Sequence, residues 1–307
     1  MPMKAINQQP YVFKSISALT DRMGGPKPLH PLVALIDYEK IKPNLADAGS
    51  TFMLSFYKIS FKKNWKGQVK YGQGYYDFEE GGLAFLAPNQ LVTMSGDGNN
   101  YEGYAFYFHP DLIRNYPLGR DMNKYGFFSY AVSEALFISD QEKKIISAIF
   151  ESIANELERN IDHFSQDILV SQIEQLLNYS NRFYTRQFIT RKAVYNDLTT
   201  KLDLYLDDRL DAGKSVIAGL PSVQEVSDHL QVSPRYLTDM LKSLTGQSTQ
   251  QIIHNKVIEK AKDILSTSKL TVAEIAYQLG FEHPQSFHKL FKQKTSVSPV
   301  EFRQSFG

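Results

Sequence analysis

One pattern occurs twice in the last third of this 307-residue chain, and it limits the possible folds more than any other feature. The first copy runs Val223-Gln-Glu-Val-Ser-Asp-His-Leu-Gln-Val-Ser-Pro-Arg-Tyr-Leu237 and continues to Ser248. The second runs Val272-Ala-Glu-Ile-Ala-Tyr-Gln-Leu-Gly-Phe281 and continues to Ser298. In the first copy Ser222 is placed to cap a helix from Val223 to Leu230, with Glu225 where it can reach back to the cap amide. Gln231-Val232 makes a turn. Ser233-Pro234 then opens a second helix with serine at the cap and proline at the first helical position. Gly246 ends that helix, and Leu237, Leu241 and Leu244 form its inward stripe.

The two copies align at an offset of 49 in the first helix and, after one inserted residue at the turn, 50 in the second. Val226 pairs with Ile275, Leu230 with Leu279, Leu237 with Phe287 and Leu241 with Phe291. Buried positions stay apolar while exposed ones differ, as expected of one scaffold carrying two unlike reading surfaces. Between the copies, Gln250–Ser266 reads as a single helix with Ile253, Val257, Ala261, Ile264 and Leu265 on one face. At about 1.5 Å per residue it spans roughly 25 Å, and major-groove windows on one face of DNA recur about every 34 Å. The doubled helix-turn-helix therefore predicts contact with two successive grooves of double-stranded DNA.

A recognition helix presents its first turns to base edges. The candidate DNA-contacting residues are Ser233, Arg235, Tyr236, Thr238 and Lys242 in the first unit, and His283, Gln285, Ser286, His288, Lys289 and Lys292 in the second. Arg235 can pair bidentately with guanine or hold a phosphate, and Gln285 can read adenine. Lys242, Lys289 and Lys292 suit phosphates, His288 suits a base or the backbone, and Tyr236 either touches DNA or packs against the turn. Asp239 would repel phosphate unless it pairs with Arg235 or accepts from cytosine.

Charge gives little help. The whole chain carries a formal +1; residues 220–307 carry +2 and residues 1–219 carry −1. Near-neutrality argues against a non-specific architectural DNA binder, which needs a basic surface. The absence of cysteine excludes disulfides, thiolate metal sites and cysteine nucleophiles. No apolar run approaches the length of a membrane span, and the N-terminus lacks a signal-peptide core, so a cytoplasmic protein is expected.

Residues 1–30 read as irregular, with a breaker cluster at Gly24-Gly25-Pro26. Residues 31–110 read as short strands: Thr51–Phe61, Gly82–Ala87, Leu91–Met94 and Tyr101–Phe108, separated by Gly, Asn and Pro turns. That spacing predicts a sandwich or small barrel. Of 39 aromatic residues, 24 precede residue 140; they fill a β core or line a ligand cavity. Lys58, Trp65, Tyr71, Asp77 and Glu79 are candidate ligand contacts. His30, His109 and His163 are not at metal-ligand spacing, so no metal, cofactor or catalytic residue is expected. From Ser139 the period becomes helical, with Ile145, Ile149, Ile153 and Leu157, then Ile168, Leu169, Ile173, Leu176 and Leu177. These stripes can pack on the β unit, on each other or on a second subunit. A further helix is expected over Asn196–Arg209, interrupted at Asp211–Ser215.

The C-terminal segment resembles the DNA-binding domain of the AraC/XylS family of bacterial transcription regulators. The residues that carry the resemblance are Ser233-Pro-Arg-Tyr-Leu237, Ile275-Ala276, Gly280-Phe281, Ser286-Phe287-His-Lys-Leu-Phe-Lys292 and Ser298-Pro-Val-Glu-Phe-Arg303. Gln231 and Ser296 depart from the glycines often found there, and Pro284 is unusual just inside its helix. The resemblance implies an α+β multidomain chain. Residues 1–138 would form a cupin-like sensing barrel and 139–190 helices for dimerisation. Residues 191–307 would form the DNA-binding domain, with helix-turn-helix units at 222–246 and 271–295 and a linker helix at 250–266. Phe85-Leu-Ala-Pro-Asn-Gln90 and Phe108-His-Pro-Asp-Leu112 are similar to segments of such sensing domains. The implied partners are operator or promoter DNA, a small-molecule effector, a second copy of the chain and, for an activator, RNA polymerase. Regulation by a protein partner or by abundance is the competing reading. A cupin-type enzyme fused to a DNA-binding domain is another, which the missing metal ligands disfavour.

Overall fold

The computed structural model describes residues 11–40, 51–63, 68–71, 74–77, 81–93, 102–190, 192–211 and 219–306. The chain divides into two compact units, Met1–Gln187 and Phe188–Gly307. The first carries the sheets and the second is helical, an α+β architecture.

In the first unit, strands β1 (Tyr11–Phe13), β3 (Thr51–Leu54) and β8 (Leu91–Thr93) form one sheet in the order β1-β3-β8. A five-stranded sheet has the order β10-β7-β4-β9-β2, from Leu136–Phe137, Gly82–Leu86, Tyr57–Lys62, Gly103–Phe108 and Val33–Asp37. β5 (Gln68–Tyr71) and β6 (Gly74–Asp77) form a separate hairpin. Among the described residues only the β1–β3 pairing is parallel.

Strand alternation gives the five-stranded sheet two different faces. One carries Ile59, Phe61, Phe85, Phe106 and Phe108, covered by Phe127, Phe128 and Phe150. The other carries Ala34, Ile36, Ala105 and Tyr107, which pack with Phe13, Ile16, Leu19, Leu54 and Phe56. Most of the early aromatics described are thus core residues. Two sequence expectations change here. The run Thr51–Phe61 is two strands in different sheets, not one. The chain passes between sheets at Ser55-Phe56, where Ser55 N donates to the carbonyl of Phe13 and Phe56 is fully buried. Residues 11–22 are also ordered: after β1, Ser15 caps the helix α1 (Ile16–Arg22), whose Ile16 and Leu19 are buried. Seven residues are too few to display a helical period.

Short helices α2 (Pro110–Ile113) and α3 (Pro117–Asp121) lead to α4 (Asp140–Leu157), which opens on the capping box Ser139–Glu142. Phe150 of α4 stacks on Phe61 at 5.7 Å. α5 (Ser165–Thr190) lays Tyr184 against Phe127, and Arg186 binds Glu142 at 2.6 Å. The two familiar segments prove structural. Gln90 accepts from Ala87 N and donates to Phe128 O, and His109 caps α2 through Nδ1. Trp65 and Glu79 lie outside the described residues, as do Met94 and residues 212–215, whereas Tyr71 and Asp77 sit on β5 and β6.

The second unit continues with α6 (Lys192–Arg209). α7 (Val223–Leu230) and α8 (Pro234–Thr245) form the first helix-turn-helix, followed by α9 (Thr249–Thr267). α10 (Val272–Gln278) and α11 (Pro284–Thr295) form the second, and α12 (Pro299–Gln304) closes the unit. The paired apolar positions are its core: Val226, Ile275, Leu237, Phe287, Leu241, Phe291 and Leu279 are all buried. Among the described residues no helix is long and apolar enough to cross a membrane, and no three His, Asp or Glu gather to hold a metal ion.

Candidate nucleic-acid interface

Local sequence sets where α8 and α11, the second helices of the two helix-turn-helix units, begin and end. Ser233 caps α8 by accepting from Tyr236 N at 3.3 Å, and Pro234 occupies the first helical position. In α11 the cap position is His283, whose side chain makes no cap bond, and Pro284 follows. Proline fits there because the first-turn N–H groups have no helical partner. Pro284 is thus as well placed as Pro234. α8 ends on Gly246 at φ 74° and α11 on Ser296 at φ 68°. The turn between α7 and α8 passes through Gln231 at φ 57°. In the second unit the turn uses Gly280, at φ 90°. A Cβ there would lie 2.5 Å from the backbone carbon of Gly219, so this close approach requires glycine.

The candidate residues in α8 have distinct surroundings. Arg235 is exposed, and its Nε donates to Asp239 Oδ2 at 2.8 Å. Lys242 is exposed in the last turn. Thr238 is half-buried, with its hydroxyl 3.0 Å from that of Thr249 at the start of α9. Tyr236 is the correction. Expected at the exposed surface, it is only 9% accessible. Its ring meets Phe188 edge-on at 5.3 Å, and its hydroxyl lies 3.2 Å from that of Tyr195. One residue after Arg235 on a helix the side chain has swung about 100°, which is enough to turn it from solvent into the core.

In α11, His283, Gln285, Ser286, Lys289 and Lys292 are exposed and His288 is half-buried. The side chains of Gln285, Ser286 and Lys289 have no hydrogen bond or ion pair among the described residues, which leaves their polar atoms for another molecule. Lys294, absent from the sequence expectation, is exposed in the last turn. Burial, and then the charge of Lys294, hold the His254 imidazole below its usual range.

Behind the first unit, α6 is tied to α7. Glu225 was expected to close a capping box with Ser222. Ser222 does accept from Glu225 N, but the carboxylate instead takes Arg209 Nε at 2.6 Å and the Tyr205 hydroxyl at 2.7 Å. A guanidinium donor competes well for a carboxylate against one backbone amide. Burial alone would raise the Glu225 carboxyl, but the bonds from Arg209 and Tyr205 overcome it and hold it low. Burial, then the bond to Glu225, push the Tyr205 phenol up to about 12. Sequence pattern could not show this, because the partners lie 16 and 20 residues away.

A helix-turn-helix domain model matches residues 226–305, and an AraC-like ligand binding domain model matches residues 57–172. The chain is 27% identical over 146 residues to an uncharacterized HTH-type transcriptional regulator of Bacillus subtilis, covering 48% of this chain and 43% of the relative. It is 28% identical over 145 residues to the arabinose operon regulatory protein of Salmonella typhimurium, covering 46% and 47%. The match thus spans less than half the length of these curated relatives. Among solved structures, the C-terminal domain of a two-component response regulator from Fusobacterium nucleatum aligns with TM-score 0.31 and 28% identity, covering 35% of this chain and 98% of that one.

Proposed function

Because the chain belongs to the AraC/XylS family of bacterial transcription regulators, we propose that it reads a specific DNA site with α8 and α11 and answers to a small molecule bound in its first unit. The observation that carries the DNA reading is the pair of similarly built helices that present different polar residues: exposed Arg235 and Lys242 on one, and exposed Gln285, Ser286, Lys289 and Lys292, with exposed His283 at the cap and half-buried His288, on the other. Ser233 and Thr238 serve that surface from behind, as cap and anchor. One chain then recognises an asymmetric site across two successive major grooves. Selection of bound duplexes from a random pool tests this. The expected result is one enriched, asymmetric sequence with affinity in the nanomolar range. Binding no tighter than to random DNA at matched salt overturns it.

Effector control is supported by the inner face of the five-stranded sheet. Along β4 the inward residues are Lys58, Ser60 and Lys62, and their cross-strand neighbours Ala84 and Ala105 are small. The Tyr38 hydroxyl donates to Ser60 Oγ at 3.1 Å, and the Lys58 ammonium lies 5.8 Å from the centre of the Tyr107 ring. A few polar groups among small and aromatic side chains make the usual wall of a ligand site. Differential binding of the effector to two arrangements of the protein would shift DNA affinity. If no metabolite in a broad panel changes operator binding, control by a protein partner or by abundance replaces this reading.

The regulator acts as a homodimer through α4, α5 and the segment joining them, where Ile161 and Phe164 of the connection and Ile168 of α5 are exposed apolar residues. Sedimentation should show a dimer that Ile168→Asp weakens; a monomer in the unsubstituted protein overturns this. It works in the cytoplasm on nucleoid DNA and catalyses no reaction. As an activator it would also contact RNA polymerase.

A further inference from the structure

The two reading helices can be compared position by position. Each has twelve residues, starts with proline after an extended cap residue and ends on a left-handed residue, so equivalent positions differ by 50. At the second position the first helix has Arg235 and the second Gln285; four residues on, they have Asp239 and Lys289. Those two positions lie on one helix face. In α8 they hold each other. Arg235 is 45% exposed and Asp239 23%, and the bond uses Nε, leaving four terminal N–H groups on the guanidinium.

That arrangement has two consequences at a DNA surface. An exposed arginine has several free torsions, and a bond to a half-buried carboxylate fixes the plane of its fork. Bidentate pairing with guanine O6 and N7 depends on that plane. The pair is also close to neutral. It adds little attraction to phosphates, and the carboxylate disfavours parking Arg235 on the backbone. The arginine is thereby reserved for base reading.

We propose that the first helix reads a guanine through Arg235 and that Asp239 is the positioning residue that makes this reading selective. The second helix has an amide and an ammonium at the same positions and reads without such a pair. This rests on the DNA-reading assignment made above.

The test is random-pool selection with the full-length protein and three variants: Arg235→Ala, Asp239→Asn, and Gln285→Arg combined with Lys289→Asp. The unsubstituted protein should enrich guanine at one base pair of the first half of its site by at least about fivefold over the other bases. Arg235→Ala should abolish that preference. Asp239→Asn should relax it about threefold or more while the rest of the site is unchanged. The double variant should create a new guanine preference in the second half. A guanine preference that survives Asp239→Asn overturns the proposal, as does a folded Asp239→Asn variant that loses all selected positions together. If Asp239→Asn does not fold, the double variant decides: no new guanine preference overturns the proposal. A well-defined site with no Arg235-dependent guanine also overturns it but leaves the DNA reading intact. Enrichment of no sequence at all is a different result and removes the DNA reading itself.

Discussion

At the residue scale, Ser296 and Lys58 sit where elementary chemistry disfavours them. Ser296 ends α11 in the left-handed region, where its partner position in α8 has Gly246. A Cβ there costs roughly 1–2 kcal/mol, partly offset by the greater chain entropy that glycine loses on folding. Ser296→Gly should therefore raise stability by about 0.5–1 kcal/mol, measured by denaturant unfolding; an unchanged midpoint would show that the serine is not strained. Lys58 is the second. Burial lowers its ammonium to about 8, so folding favours the neutral form. The cost is full below about pH 8, shrinks as pH rises, and ends above the usual lysine value. Lys58→Met should melt higher than the unsubstituted protein at pH 7, with the gap closing toward pH 10.5. A gap that does not depend on pH would assign the effect to packing. Legibility at this scale was uneven. Arg235 and Gln285 were placed correctly as exposed by their distance from the helix start. Tyr236 was not, because a first-turn position says nothing about neighbours such as Tyr195 and Phe188, which come from earlier in the chain.

At the element scale, strong local signals survived and weak ones did not. The caps Ser139, Ser222 and Ser233 all start helices, because a serine oxygen accepting a first-turn amide needs only a three-residue span. α1 and the break at Ser55-Phe56 were illegible for the opposite reason. The helix is too short for a period, and the break is set by the β1 backbone rather than by a turn residue. The Arg209–Glu225–Tyr205 junction between α6 and α7 carries the main pH consequence at this scale. Glu225 is held low in the folded protein, so its contribution to stability is present above the ordinary glutamate range. It is lost as pH falls through the depressed folded value. Glu225→Gln should lower the melting temperature at pH 7 and flatten its decline in acid. Parallel acid limbs for the two proteins would mean the junction is not a source of pH dependence.

At the scale of the whole molecule, a chain with formal charge +1 has to draw its DNA affinity from a local array and not from a global field. Lys242, Lys289 and Lys292 are exposed on the reading helices, and α9, at 19 residues, spans about 28 Å between them. Each phosphate contact contributes close to one unit to the slope of log affinity against log salt. Lys292→Ala should weaken binding to all sequences alike and lower that slope by about one. A changed base preference would move Lys292 from the backbone to the bases. The change in period at Ser139, from alternating strands to helical stripes, falls inside the first unit and so does not mark the division between Gln187 and Phe188.

The meeting of Gly219 with Gly280 has a bearing on how such a protein can change over time. The backbone that leads into the first helix-turn-helix touches the turn of the second so closely that neither copy is a self-contained cassette. A recombination that imported a different second helix-turn-helix would have to bring a glycine at position 280, because any Cβ there would lie 2.5 Å from the Gly219 backbone carbon. Substitutions on the outer faces of the two copies leave that contact untouched, whereas exchange of the whole second copy puts it at risk.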